Sequence, residues 1–179
     1  MLVIISGPSG VGKGTVIKKL LQKMPSLDLS ISYTTRKPRK HEIHGKDYFF
    51  VTEKEFDNMD FLEQAEVHGN KYGTPNVKYK KDIIFEVDLQ GAKSIKQKRE
   101  DSLSIFLLPP SSKELENRLI GRKTESKSEI KERLNTAKKE LKKRFEHDYL
   151  IINKDINNTV KKIKHIINLE NEKRSKIHE

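Results

Sequence analysis

Leu2-Val-Ile-Ile-Ser-Gly-Pro-Ser-Gly-Val-Gly-Lys-Gly-Thr15 carries the reading on which the fold class turns. Its first residues form a short run rich in β-branched side chains, as a strand buried on both faces does. Glycines then interrupt the run, and Val16, Ile17, Leu20, Leu21 and Met24 return at helical spacing, with Pro25 marking the helix end. A Gly-rich loop between a strand and a helix is the setting in which successive backbone N–H groups cradle a phosphate. The helix N-terminus adds positive potential, and a lysine placed like Lys13 reaches the β- and γ-phosphates of a nucleotide. An ordinary Gly-rich turn is the plain alternative, but Gly7, Gly12 and Lys13 stand in the register of a nucleotide loop. Gly7, Pro8, Ser9, Gly10, Val11, Gly12, Lys13, Gly14 and Thr15 are therefore the candidate nucleotide site, for ATP or GTP as far as the loop alone can say.

Outward from this loop, apolar strand patterns recur at Ile83-Ile-Phe-Glu-Val-Asp88, Ser104-Ile-Phe-Leu-Leu108 and Asp148-Tyr-Leu-Ile-Ile152. Helical patterns separate and follow them. Ser112 is a candidate cap for a helix carrying Leu115 and Leu119. Ser128 is a candidate cap for another, with Ile130, Leu134, Ala137, Leu141 and Phe145 on one face. Ile156, Val160, Ile163 and Ile167 suggest a terminal helix, and the charged residues from Glu172 to Glu179 read as frayed. Strands alternating with helices predict an α/β fold: a mostly parallel sheet flanked by helices. Residues from about 30 to 82 are more polar, with a weak strand pattern at Asp47-Tyr-Phe-Phe-Val51, and read as an insertion into that core.

Composition narrows the class. The chain has 179 residues, 34% hydrophobic and 35% charged, enough for one domain with a real core. No stretch approaches the roughly 18 apolar residues of a membrane span, and the N-terminus does not read as a signal peptide. The absence of cysteine excludes disulfides, thiolate metal sites and a cysteine nucleophile, and fits a cytoplasmic setting. A formal net charge of +11 admits anionic partners, but the lysines alternate with glutamates, as in Lys138-Lys139-Glu140-Leu141-Lys142-Lys143. That pattern is a solvated helix face, so neither nucleic acid, a membrane nor an obligate protein partner is expected.

What accepts the phosphoryl group is read from Ser30-Ile-Ser-Tyr-Thr-Thr-Arg-Lys-Pro-Arg39 and Gly45-Lys-Asp-Tyr-Phe-Phe50. Two arginines three residues apart beside a prolyl turn suit a dianionic phosphate, because each guanidinium donates in a fork. Alone, Arg36 and Arg39 would read as a basic surface loop. With Tyr48 at this distance the segment resembles the guanylate kinases, P-loop nucleoside monophosphate kinases that carry Ser-x-Thr-Thr-Arg-x-Pro-Arg and then Gly-x-Asp-Tyr-x-Phe. The resemblance runs from about residue 2 to about residue 168. It implies that Arg36, Arg39 and Tyr48 hold the GMP phosphate, with Tyr72 adding a contact. It implies that Glu63 accepts from guanine N1–H and the 2-amino group, while Thr74 and Ser32 meet O6.

Glu86-Val-Asp-Leu-Gln-Gly91 resembles the family's Asp-x-Asp-x-Gln-Gly. The likeness places Asp88 in the shell of Mg²⁺, the cofactor brought with ATP, with contact through water as is common in such sites, and Glu86 on the GMP side. Helix capping by Asp88 is the alternative. Arg118-Leu-Ile-Gly-Arg122, Thr124-Glu125 and Arg133 match the family's closing segment, which implies that these arginines neutralise the transferring phosphoryl group. Arg118 and Arg122 lie four apart on a helix and have Glu114 and Glu125 as possible structural partners. Asn153 resembles the position that contacts adenine.

This sequence also departs from the family. The residue after the loop lysine is normally Ser or Thr, whose hydroxyl contacts Mg²⁺; here it is Gly14, and Thr15 is the candidate contact. Adenylate kinases end the loop the same way. The segments 57–61 and 75–82 are shorter than the family usually carries. The expected organisation is a core of residues 1–30, 83–117 and 136–179, a GMP-binding insertion of 31–82 and a lid of 118–135. Rival readings are another nucleoside monophosphate kinase, a guanylate-kinase-like scaffold module without chemistry, and a nucleic-acid-binding ATPase.

Overall fold

A computed structural model describes residues 1–67, 69–77, 79, 81–121 and 127–177. The opening run forms β1 (Leu2–Ser6), and the Gly-rich loop leads into α1 (Lys13–Lys23). Next come β2 (Leu27–Ser30), β3 (Tyr33–Thr34), β4 (Phe49–Phe50), α2 (Glu53–Asp57), β5 (Phe61–Val67) and β6 (Asn70–Pro75). The chain continues through β7 (Asp82–Glu86), α3 (Leu89–Lys98), β8 (Leu103–Leu108), α4 (Ser112–Ile120) and α5 (Lys127–Lys142). A 3₁₀ turn at Arg144–Glu146, β9 (Tyr149–Ile152) and α6 (Ile156–Ile177) complete it.

Five strands form a sheet in the order β2-β7-β1-β8-β9, with every pairing parallel. This is the α/β architecture that the sequence predicts. Side chains alternate across β1. Val3 and Ile5 join Val16, Leu20, Ile163 and Ile167 in the layer formed with α1 and α6. Leu2 and Ile4 join Phe85, Ala92 and Ile95 in the layer toward α3. Both faces of the strand are therefore buried, which is why its sequence shows no polar alternation.

A second sheet, in the order β4-β3-β6-β5, arises within the polar stretch. β5 and β6 form an antiparallel hairpin, and β3 pairs antiparallel with β6 but parallel with β4. Leu62 of β5 packs into the α3 layer, and Lys98 Nζ donates to the Leu62 carbonyl at 2.5 Å, so this sheet leans on the core through β5.

Several local expectations are corrected. Ser111, not Ser112, caps α4, its hydroxyl accepting from Glu114 N–H at 3.1 Å. Ser128 lies inside α5, which already begins at Lys127. Phe145 is 71% exposed and leaves the apolar face, because α5 ends at Lys142 and the chain tightens into the 3₁₀ turn. Where fraying is expected from Glu172, α6 runs on to Ile177, and residues 178 and 179 lie outside the described residues. No described helix is long and apolar enough to cross a membrane.

Candidate active site

In a parallel sheet, ligands bind beyond the carboxyl ends of the strands. Here β1 ends in the Gly-rich loop, β7 ends at Glu86 just before Asp88, and β9 ends just before Asn153. The shared strand direction alone gathers these residues at one edge.

The loop is shaped for an anion. Gly10 and Gly12 have φ of 86° and 99°, a region that residues with a Cβ rarely enter. Space agrees with conformation: a Cβ on Gly10 would meet Leu119 Cδ2 at 2.8 Å, and one on Gly12 would meet Asn153 Nδ2 at 2.9 Å. Gly12 caps α1 without a side-chain hydrogen bond, and the first turn holds no acidic residue. The positive end of the helix is thus not offset by a carboxylate of its own first turn. Lys13 Nζ donates to the Gly7 carbonyl at 2.6 Å, folding its ammonium back over the loop.

Several side chains brace this loop. Arg118 donates from Nε to Glu114 Oε1 at 2.9 Å, from Nη1 to the Val11 carbonyl at 3.1 Å and from Nη2 to the Asn153 carbonyl at 3.1 Å. Asn153 Nδ2 donates to the same Val11 carbonyl at 2.8 Å. Arg133, on α5, donates to Ser9 Oγ at 2.8 Å. Arg118 therefore does pair with Glu114, but its other donors grip the loop. Arg122 lies outside the described residues.

The second sheet presents the other half. Glu63 and Thr74 are directly opposed across β5 and β6, 5% and 0% exposed, with Thr74 Oγ1 donating to Glu63 Oε1 at 2.7 Å. Their eleven-residue separation is the span of the hairpin. Burial raises the Glu63 carboxyl above the usual carboxylate range, and the Thr74 hydroxyl acts against that shift. A Cβ on Gly91 would stand 2.8 Å from Glu63 Oε2, which sets the carboxylate against the first turn of α3.

Nearby, Arg36 Nε donates to Tyr72 Oη at 3.1 Å, and the Arg36 guanidinium lies 5.5 Å from the centre of the Tyr48 ring. The Tyr48 and Tyr72 rings meet edge to face at 5.9 Å. Burial, and then the negative charge of Glu86, push the Tyr48 phenol well above its ordinary value. Arg39 is half-exposed beside them. Ser32 lies between β2 and β3, its carbonyl accepting from Phe49 N–H at 2.9 Å.

Two carboxylates stand at the junction. A Cβ on Gly14 would lie 3.5 Å from Glu86 Oε2, so Glu86 faces the first turn of α1 while its charge is felt at Tyr48. Asp88 caps α3, with Oδ1 accepting from Gly91 N–H at 2.8 Å. Thr15 follows on α1.

Sequence reasoning missed Glu42, whose carboxylate accepts from both Arg36 Nη groups at 2.9 Å. It also missed Glu140 on α5, which lies in the field of Lys13 and Asp88 and whose carboxyl burial pushes up to about 7. Only the three-residue step from Arg39 to Glu42, a turn spacing, hinted at the first.

A Gly-rich loop between β1 and α1 at the carboxyl edge of a five-stranded parallel sheet, with a small second sheet inserted after β2, is the arrangement of the P-loop nucleoside monophosphate kinases. The Guanylate kinase family model matches residues 1–170. Guanylate kinases of Clostridioides difficile and Malacoplasma penetrans are 42% and 48% identical, over 98% and 93% of this chain and 91% of each relative. The solved guanylate kinase of Anaplasma phagocytophilum superposes with a TM-score of 0.79 at 34% identity, over 95% of this chain and 85% of that one. The chain belongs to the guanylate kinase family, whose reaction is phosphoryl transfer from ATP to GMP. The alignment with the C. difficile protein spans 186 positions, more than this chain has residues, so that relative carries residues without a counterpart here.

Proposed function

We propose that this chain transfers the terminal phosphoryl group of ATP to GMP, giving ADP and GDP, with the two phosphates meeting beside Glu86. The observation that carries this reading is that one strand edge brings together the Gly-rich loop and Glu86, whose Oε2 lies 3.5 Å from a Cβ built on Gly14, with the buried Glu63–Thr74 pair set against α3, the helix that follows β7. Loop residues 7–15 hold the ATP phosphates, with Lys13 moving from the Gly7 carbonyl onto the β- and γ-phosphates. Arg36, Arg39, Tyr48 and Tyr72 hold the GMP phosphate. Glu63 accepts from the guanine N1–H and 2-amino group, and Thr74 and Ser32 meet O6. Adenine offers a different donor pattern, so a buried site built this way rejects it strongly.

The transfer is direct and in line, because a phosphate oxygen of GMP is itself a competent nucleophile. Positioning and charge neutralisation supply the rate. Arg133, with Arg118 and Arg122, surrounds the spread charge of the transferring group, and Arg118 also fixes the loop through Val11 and Asn153. Asn153 in addition borders the adenine. Closure of the acceptor segment 31–82 and the lid 118–135 over the core excludes water, which would otherwise hydrolyse ATP.

No group of three or more His, Asp or Glu side chains able to hold a metal gathers among the described residues. Asp88 and Thr15, a carboxylate and a hydroxyl, are oxygen donors of the kind that suit a Mg²⁺ held mainly by nucleotide phosphates and water, with Asp88 contributing through a water and Thr15 standing next to Gly14 in the chain. Bound there, Mg²⁺ would neutralise charge on the β- and γ-phosphates. A cytoplasmic setting belongs to the same reading.

The test is a coupled assay of ADP formation with GMP, AMP, UMP or CMP as acceptor. Turnover is expected with GMP and to be lost by a factor of about 100 or more in Lys13→Ala. A folded protein inactive with every acceptor would sink the proposal.

A further inference from the structure

The acceptor site contains a carboxylate where a phosphate would be expected to find only cations. Glu42 Oε1 and Oε2 accept from Arg36 Nη2 and Nη1, each at 2.9 Å, in a two-pronged fork. The same Oε2 accepts from Arg39 N–H at 2.7 Å, and Arg39 Nη1 lies 3.6 Å from Oε1. Arg36 also donates from Nε to Tyr72 and from Nη1 to the Lys37 carbonyl at 2.7 Å. Four of its five N–H groups are thus engaged.

Such a carboxylate can act in opposite ways. It can stand in for the acceptor phosphate and compete with it, or it can belong to the frame that aims the arginines. The backbone distinguishes these. Glu42 N–H donates to the Arg39 carbonyl at 3.0 Å while Arg39 N–H donates back to the Glu42 side chain, so the carboxylate is tied into the turn that bears it. The Glu42 and Arg36 side chains are only 16% and 15% exposed, whereas Arg39 is 48% exposed. Burial opposes charge on Glu42, yet the Arg36 fork and the Arg39 N–H hold its carboxyl below the usual range. It is a fixed counter-charge, not a loose one.

We infer that Glu42 is a positioning residue of the acceptor-phosphate site: it locks Arg36 side-on, offsets the repulsion between Arg36 and Arg39, and leaves Arg39 and the remaining Nη2 N–H of Arg36 to read the phosphate. The inference rests on the reading above that Arg36 and Arg39 receive the GMP phosphate. Without Glu42, the long Arg36 side chain is free to leave the Tyr48 and Phe50 rings, which now lie 5.5 and 5.8 Å from its guanidinium.

Steady-state kinetics of the full chain, varying GMP and ATP separately, test this with Glu42→Gln. The amide keeps the acceptor for Arg39 N–H but lacks the charge for the fork. We expect KM for GMP to rise about 10- to 100-fold, the equivalent of one charged hydrogen bond, with kcat and the KM for ATP changed by less than about threefold. In an Arg36→Gln background the same substitution should add no further rise, because Glu42 acts through Arg36. A lower KM for GMP would make Glu42 a competitor and overturn the inference, as would an unchanged KM or an equal loss in the Arg36→Gln background. Arg39→Gln separates the two levels. If it leaves KM for GMP unchanged, the phosphate reading itself fails; if it raises KM while Glu42→Gln does not, only the positioning role fails. Should Glu42→Gln not fold, Glu42→Asp decides by the same criteria, its shorter side chain being unable to span Arg36 and Arg39 N–H together.

Discussion

The Thr74 hydroxyl and the Glu63 carboxylate hold each other across a β-hairpin, 2.7 Å apart and shielded from solvent. Both are buried polar groups, and the bond between them fixes the direction in which both face the proposed guanine. Replacing Glu63 by Gln puts an amide where an anion accepted, and one of its faces now donates. GMP turnover, as kcat/KM, should fall by about 10- to 100-fold, the value of a charged hydrogen bond. Thr74→Val should cost less, and the double variant should lose less than the sum of the two, since each substitution disturbs the same bond. Additive losses in kcat/KM would show that the pair does not work as a unit.

Gly12 couples loop shape to the end of β9. With φ at 99° and Asn153 Nδ2 2.9 Å from the position of a Cβ, alanine there is strained in backbone and crowded in space. Gly12→Ala should lower unfolding free energy by about 1–3 kcal/mol, read from the denaturant midpoint. The Asn153 bond to the Val11 carbonyl should loosen with it, so ATP binding should weaken as well. A midpoint equal to wild type would mean that the loop relaxes freely.

Asp88 has two jobs that one substitution can separate. Its Oδ1 caps α3 through Gly91 N–H, and asparagine caps about as well as aspartate. Asp88→Asn should therefore leave stability within about 0.5 kcal/mol of wild type. It removes the charge proposed to act on Mg²⁺ through water, so the Mg²⁺ concentration needed for half-maximal turnover should increase. An unchanged Mg²⁺ titration, with stability intact, would leave Asp88 with the cap alone.

The donor half of the site is legible in the sequence because its physics is local. A run buried on both faces, a loop of glycines and a 3.6-residue apolar period are all written within residues 2–24, and β1 and α1 form there. The acceptor half is written less plainly. Phe61–Val67 and Asn70–Pro75 mix polar and apolar residues because they build a small sheet only partly buried, so no clean alternation marks them. The motif resemblance located Glu63 and Thr74 without showing that they are cross-strand neighbours. A local signal was available for α2, where Thr52 and Glu55 form a capping box. Glu42 was hidden for a different reason: its role depends on Arg36 folding back across six residues, which no periodicity records.

Glu140 offers a pH test that follows from burial. Its carboxyl is pushed up to about 7, chiefly by desolvation, with Lys13 acting against the shift and Asp88 adding to it. In the unfolded chain the same group titrates near 4.3. The folded value is the higher one, so the protonated form favours the native state. That contribution is complete below the unfolded value and is lost as pH rises through about 7. Glu140→Gln keeps a neutral side chain of similar size at every pH. The variant should match wild type in denaturant midpoint near pH 4, gain on it steadily as pH approaches 7, and keep a constant advantage above. Glutamine is also expected to leave Lys13 with less negative charge nearby, so ATP affinity at pH 8 should tighten. A stability difference that is flat from pH 4 to 8 would mean that Glu140 ionises in the native protein as it does in the unfolded one.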